Sequence, residues 1–153
     1  MHEDPRDLGA TLRTQMARWP TGAAVVTSCS NGRLLGKTVN SFHATSLRPP
    51  LVGWCLDHRS SHLEDWLTAE AYVVHVLAED HGTLLSRFCG PVERRFDDGW
   101  RTGPDGVPLL EAEVPLRLTC RVQHRLTAGD HTYLVGEVMS LDTSEATPIV
   151  LQR

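Results

Sequence analysis

Hydrophobic positions open the chain at helical spacing: Leu8, Leu12, Met16 and Trp19 fall on one side of a 3.6-residue repeat. Asp4-Pro5 ahead of them is a cap and first-turn signal and Pro20 a stop, so the pattern predicts an amphipathic helix over about 5–18. Beyond residue 22 the period shortens. The run AAVVTS at 23–28, the pair Asn31-Gly32 and a second apolar run from Leu34 predict a β-hairpin, because Asn-Gly accepts the positive φ of a tight turn. Arg48-Pro49-Pro50 then interrupts the chain ahead of a strand at 51–56. Ser61 with Glu64 three residues on is a capping-box pattern that opens a short helix through Trp66 and Leu67. YVVHVL at 72–77 reads as a buried strand, and Asp80 as the cap of a helix carrying Leu84, Leu85 and Phe88. Residues 89–108 are rich in glycine and proline but include Phe96 and Trp100, which predicts an ordered functional or interface loop. Strands at 114–124 and 131–141, joined around Gly129-Asp130, complete the pattern.

Many short strands with few crossover helices place the chain in the mainly β class, as a closed or nearly closed antiparallel barrel with peripheral helices. A doubly wound nucleotide fold would need a G-x-G-x-x-G fingerprint, and the sequence has none. With 153 residues, one domain is expected over 1–153, its barrel at about 22–142.

One stretch breaks strand alternation. In GKTVNSFHATSLRPP (36–50), Thr38, Asn40, Ser41, Thr45 and Ser46 set short hydrogen-bonding groups between Val39, Phe42 and Leu47. Such groups suit a polar ligand rich in carbonyls and phosphates, since they lose little rotamer entropy on binding.

Composition narrows the class of partner. A net charge of −4 with scattered Lys and Arg gives no basic field for nucleic acid. The acidic start MHEDPRDLGA has no apolar core and no later apolar run reaches spanning length, so a soluble, cytoplasmic protein is expected. Cys29, Cys55, Cys89 and Cys120 are widely spaced and read as free thiols of a reducing compartment.

His58 and His62, with Asp57 adjoining, have a metal-like spacing, but Ser60-Ser61 looks like a helix start that would break their shared face, so no metal is expected. No serine or cysteine sits in a nucleophile motif, and the acid pairs Glu64-Asp65, Glu79-Asp80 and Asp97-Asp98 read as solvated faces and caps. His131, in GDHTYLVGEV, is either a polar strand-end residue or a pocket residue beside Tyr133. His75, within VVHVL, is either a buried hydrogen-bonded imidazole or a ligand contact.

Taken in order, WPTG (19–22), AAVVTS, GKTVNSF, SLRPP (46–50), CLDHRSS (55–61), VVHVLAED, SRF (86–88), PLLE (108–111) and GDHTYLVGEV resemble the flavin reductase-like family, over about residues 12–142. The resemblance implies an FMN-binding split β-barrel working as a homodimer. It implies hydride transfer from C4 of NADH or NADPH to N5 of FMN or FAD, with reduced flavin passed to a partner monooxygenase. By position, Thr38, Val39, Asn40 and Ser41 match the segment contacting the isoalloxazine and ribityl groups, and Thr45, Ser46 and Leu47 the next flavin-lining segment. Cys55, Leu56, Asp57, Arg59, Ser60 and Ser61 match the loop at the ribityl-phosphate end, where the following helix N-terminus and Arg59 are expected to stabilise phosphate charge. His75 stands where relatives carry asparagine and is included among the flavin contacts, Phe88 matches an aromatic near the flavin, and His131 matches a histidine that positions the nicotinamide. Lys37 replaces a methionine-like residue and Ala44 a serine, and the ending TPIVLQR departs from the aromatic and basic ending of many relatives. Two alternatives stay open: an enzyme that retains its flavin and acts on another substrate, and a non-enzymatic barrel binding flavin, haem or a small metabolite. Dimerisation is expected through the aromatics of the 89–108 loop, the competing reading being a loop folded over its own core.

Overall fold

The computed structural model describes residues 5–152. Helix α1 (Pro5–Gln15) runs on as a 3-10 turn over Met16–Arg18 and stops at Trp19, whose N–H bonds the Met16 carbonyl ahead of Pro20. Its expected cap, Asp4, lies outside the described residues. The stripe that predicted the helix is uncovered: Leu8, Leu12, Met16 and Trp19 are 52–68% exposed.

Among the described residues nine strands follow: β1 (Ala24–Ser30), β2 (Arg33–Val39), β3 (His43–Leu47), β4 (Pro50–Asp57), β5 (Ala71–Val76), β6 (Trp100–Thr102), β7 (Pro108–Leu110), β8 (Leu116–Ala128) and β9 (His131–Thr143). Helix α2 (Leu63–Thr68) lies between β4 and β5, and α3 (Gly82–Cys89) between β5 and β6. Asn31 and Gly32, both at positive φ (52° and 75°), make the tight turn of the first hairpin, as the Asn-Gly pair predicts.

Seven strands form one antiparallel sheet in the order β2-β1-β5-β8-β9-β4-β3. Its two edge strands, β2 and β3, are neighbours in sequence. Only residues 40–42 join them, so Val39 and His43 can be no more than about 14 Å apart along an extended chain. A seven-stranded sheet whose edges are tied so closely must roll edge toward edge, leaving a seam between β2 and β3. The polar stretch singled out in the sequence lies along that seam.

Apolar residues sort onto the two faces of the rolled sheet. Val26, Trp54, Leu56, Tyr72, Val74 and Leu134 fill one buried cluster, in which the Trp54 ring meets Trp66 of α2 and Tyr72 edge-on at 5.4 and 6.0 Å. Val25, pointing the other way from β1, joins Leu77, Phe88 and Leu110 in a second cluster, with Leu84, Leu85, Phe96 and Trp100 packed against it. Strand β1 is therefore buried on both faces, which is why AAVVTS is a continuous apolar run rather than an alternation.

Three expectations are corrected here. Residues 89–108 are folded over the chain's own core, with β6 and β7 paired and the aromatics stacked edge-to-face, Phe88–Phe96 at 5.3 Å and Phe96–Trp100 at 5.6 Å. Phe96 and Trp100 thus pack against the chain's own core, both remaining partly exposed. The Ser61–Glu64 capping box does not form: the residue ahead of α2 is His62, in the left-handed region at φ 59° and without a side-chain cap. The turn before it is closed by Asp57, whose carbonyl accepts the Ser60 N–H and whose carboxylate accepts the Arg59 N–H, and this sets where the helix starts. Asp80 does not cap α3 either; His81 precedes that helix and turns its Nδ1 to the Ala78 N–H.

All four cysteines are free thiols. No helix among the described residues is long and apolar enough to cross a membrane.

Candidate functional site

Gly36 positions the site. A Cβ there would run into the rings of Phe88 and Phe96, so only glycine lets α3 and the segment after it lie directly on β2. That close approach carries Arg95 over the strand, where Nη1 donates to the Gly36 carbonyl at 2.8 Å while Nε and Nη2 hold the Gly90 carbonyl at 3.1 and 2.9 Å. Thr38, two residues along the edge strand, donates to the Leu85 carbonyl of α3 at 3.0 Å.

Between this edge and the 57–62 turn opens a cavity of about 220 Å³, lined by Lys37, Thr38, Ser60, Ser61, Trp66, Phe88, Cys89 and Arg95. The Lys37 ammonium donates to Ser60 Oγ. Burial pulls the Lys37 pKa down, only partly opposed by Asp57 and Cys89, and burial does the same to Arg95, opposed by Cys89 and Glu93. The cavity is smaller than the ~300–1,000 Å³ of pockets that enclose a whole drug-sized ligand, so it fits one end of such a molecule. Further along the seam, Val39, Asn40 and Phe42 border a second, apolar hollow of about 50 Å³.

The neighbouring strands present hydrogen-bonding groups outward. Ser41 Oγ accepts the Cys55 N–H at 2.9 Å, tying the 40–42 link to β4. Thr45 Oγ1 lies 2.8 Å from the Tyr133 hydroxyl, which lies 2.9 Å from His43 Nε2, and His43 Nδ1 is 2.9 Å from the Ser41 carbonyl. The Nδ1–H donates to that carbonyl, leaving Nε2 to accept from Tyr133. Ser46 is half-buried, while Leu47 projects into solvent at the β3–β4 turn.

At the far end of β4, Asp57 accepts from Arg59 through both backbone and side chain, and these bonds hold its carboxyl down at about 2. His131, across the β4–β9 pairing from Asp57, has Nδ1 2.7 Å from Asp130 Oδ1 and Nε2 4.0 Å from Asp57 Oδ2. The Asp130 carboxylate orients the imidazole, which stays partly exposed at the strand mouth.

The sequence-based site therefore divides. Thr38, Ser60, Ser61 and Phe88 line the larger cavity, with Phe88 as its apolar floor. Val39 and Asn40 border the hollow, and Ser41, Thr45 and Cys55 flank the seam. Leu56 is fully buried in the barrel interior, so its side chain contacts only core. His75 is corrected outright: it is fully buried, Nδ1 donates to the Val25 carbonyl at 3.1 Å and Nε2 accepts the Leu110 N–H at 3.2 Å, so no polar atom remains for a ligand. Arg59 lies outside the lining of this cavity, its guanidinium paired with Asp57 and exposed to solvent. A phosphate-binding helix N-terminus is absent as well, because α2 has only six residues and begins behind His62.

His58 and His62 are spent separately, His58 Nε2 on Thr132 Oγ1 at 2.8 Å and His62 Nε2 beside Arg33 at 3.4 Å. Sequence reasoning missed Arg95, which sits in a Gly/Pro-rich segment with no periodicity, and treated Lys37 only as a departure from relatives. A larger recess of about 350 Å³, bordered by Cys29, Thr68, Glu70, Asp105 and Arg121, contains none of the candidate residues and mixes charges of both signs.

Residues 16–153 match the family described as "Flavin reductase like domain". The chain is 36% identical over 143 residues to the "Probable flavin reductase" of Rhizobium meliloti, covering 92% of this chain and 44% of that one, so it spans less than half of that relative's length. It is 34% identical over 148 residues to the reductase component of an FADH(2)-dependent resorcinol hydroxylase of Rhizobium sp., covering 94% and 82%. The structure of the NADH:FAD oxidoreductase SgcE6 of Streptomyces globisporus, in complex with NAD and FAD fragments, superimposes with a TM-score of 0.87 at 29% identity, covering 99% of this chain and 92% of that one.

Proposed function

The chain belongs to the flavin reductase like domain family, and from that premise we propose that it is an NAD(P)H:flavin oxidoreductase that supplies reduced flavin to a partner monooxygenase. The reaction moves a hydride from nicotinamide C4 to flavin N5, and a solvent proton completes the reduced flavin. Such a transfer asks the protein for alignment more than for a strong acid or base. The site is built accordingly, as a seam of small donors with a cationic cavity at one end and an oriented histidine at the strand mouth.

The observation that carries the reading is the cavity at the edge of β2. Thr38, Ser60, Ser61, Lys37 and Arg95 converge there, a donor set suited to the phosphate end of FMN or FAD, beside a seam able to take the ribityl and ring portions. His131, held by Asp130 and facing Asp57, is the residue assigned to nicotinamide positioning.

Anaerobic titration with NADH and with NADPH, each with FMN and with FAD, tests the proposal. Rapid nicotinamide oxidation that depends on added flavin is the expected result. Flavin that copurifies and is reduced only slowly would instead identify an enzyme that retains its flavin.

The proposal extends to a homodimer in the reducing cytoplasm, where four free thiols persist. Its support is the uncovered apolar stripe of α1, a second copy being the occupant that each chain can supply to the other. Sedimentation at micromolar concentration checks it: a monomer removes the claim.

A further inference from the structure

His131 stands at the tip of an exposed hairpin. Residues 123–130 are all exposed, and β8 and β9 are joined there by Gly129, at φ 62°, and Asp130, with Ala128 paired to His131. The bond between Asp130 and the His131 ring does not tie that tip to the barrel, because Asp130 belongs to the tip and its side chain is 94% exposed. Asp57, at the end of β4, stands 4.0 Å from His131 Nε2 and is already engaged by Arg59. An imidazole that has to meet a substrate ring in register needs a firmer hold than these two acids supply.

His58 provides that hold. It follows the last residue of β4 and bonds β9 on both sides of His131. Its N–H donates to the Asp130 carbonyl at 3.0 Å, which carries the β4–β9 pairing one bond further into the tip. Its ring Nε2 lies 2.8 Å from Thr132 Oγ1. Thr132 pairs with Leu56 and is buried like it, so the two share the barrel's inner face while His131, one residue back, is turned outward with Asp57. Among the described residues His58 is the only hydrogen-bond partner of the Thr132 hydroxyl, and removing the ring would leave a buried polar group unpaired. One residue therefore fixes the backbone immediately before and immediately after the exposed imidazole, from the side opposite to the one a ligand would approach.

We propose that His58 is a positioning residue for nicotinamide-dependent reduction, acting through His131: it sets the place and direction of that imidazole and touches neither nicotinamide nor flavin itself. This rests on the reading of His131 as the nicotinamide residue, and it adds to that reading the side chain that holds His131 in register.

The test combines steady-state kinetics with NADH and with NADPH, flavin affinity by fluorescence, and hydrogen exchange, on wild type, His58→Ala, His58→Gln, His131→Ala and the double variant carrying both alanines. His58→Ala is expected to raise the KM for the nicotinamide about threefold to tenfold while flavin affinity stays within about twofold. His58→Gln, whose side-chain amide can still reach Thr132, is expected to restore most of that loss. Added to His131→Ala, the His58 change is expected to cost less than about twofold more, because the residue it acts through is gone. Without turnover, amide exchange over 129–132 should quicken in His58→Ala and return toward wild type in His58→Gln. Should His58→Ala fail to fold, Thr132→Val removes the other half of the contact while keeping the branched shape, and it is expected to reproduce the KM shift. A KM that His58→Ala leaves unchanged, a shift that persists undiminished without His131, or an equal loss of flavin affinity overturns the positioning role; with His131→Ala alone raising the KM, the nicotinamide reading of His131 still stands. A KM unchanged by His131→Ala overturns that reading and the proposal with it.

Discussion

Acidification should weaken the fold through His75, the fully buried imidazole between β1 and β7. Burial, reinforced by Arg117 and Arg101, pushes its pKa from the ordinary 6.5 down to about 3. Its two nitrogens explain the cost of charging it, because a proton on Nε2 would take away the only acceptor of the Leu110 N–H and leave a cation in the core. The unfolded chain takes up that proton near pH 6.5 and the folded chain resists until about pH 3. The stabilising contribution is therefore complete above pH 6.5 and is lost as pH falls through this window. Between pH 7 and pH 4.5 the linkage amounts to about 2.5 kcal/mol, a large fraction of the stability of a domain of this size. The comparison uses His75→Asn, which keeps one donor and one acceptor but does not titrate, and which should cost roughly 1–3 kcal/mol at pH 7 from lost shape and hydrogen bonding. Urea unfolding of both proteins at both pH values isolates the histidine, since carboxylates common to the two cancel. Wild type should lose about 2.5 kcal/mol more than the variant on acidification. Parallel losses would show that His75 is not a neutral core residue and would refute the reasoning.

Gly36→Ala should cost about 1–3 kcal/mol by forcing the Phe88 and Phe96 rings off β2, and should weaken FMN binding with it because Arg95 rides on that contact; thermal unfolding and fluorescence titration measure the two effects. Trp100→Ala removes the edge-to-face partner of Phe96, and should raise amide exchange across residues 90–110 while leaving β8 and β9 protected, as hydrogen exchange with mass spectrometry would reveal. His131→Ala is expected to raise the KM for the nicotinamide about tenfold or more while flavin affinity stays within about twofold; equal losses in both would sink the assignment of His131 to the nicotinamide. Leu12→Glu should convert a dimer to a monomer in sedimentation with the circular dichroism of the barrel unchanged, since that side chain is 59% exposed in the single chain.

The elements written by local chemistry were legible. Asn31-Gly32 announced its turn because a positive φ at two successive positions restricts the residues that fit, and YVVHVL announced a strand buried on both faces by having no polar alternation. The caps were misread where neighbouring contacts outweighed a local pattern. Ser61 and Glu64 have the right spacing, but the Asp57 turn and the left-handed His62 start α2 elsewhere. The rolling of the sheet was anticipated as a class only, because the β2–β3 seam follows from strand order, which depends on long-range pairing. Arg95 was beyond reach for the same reason: it lies 59 residues from the carbonyl that fixes it. His75 illustrates the converse, a polar residue whose two partners come from β1 and β7 and turn a plausible ligand contact into a structural bond.

The density of small polar residues at 36–46 follows from where the sheet fails to close. Strand β2 pairs only with β1, and β3 only with β4, so each has one side without a strand partner. Unpaired strand edges invite pairing with other chains unless something covers them. On β2 the cover is partly supplied from within, by Thr38 bonding the Leu85 carbonyl and by Arg95 bonding the Gly36 carbonyl. Along 39–46 the polar groups face outward: Asn40, His43 and Thr45 are exposed, and Ser41 reaches across to the backbone of β4. Large apolar side chains here would make the seam an aggregation-prone edge, and long charged ones would fill the space a ligand needs. Short hydroxyls and amides avoid both, which accounts for one segment serving at once as a protected edge and as the wall of a site. The same reasoning places Lys37 at the boundary, one residue past the glycine that brings the loop in, where its ammonium donates to Ser60 Oγ at the rim of the cavity.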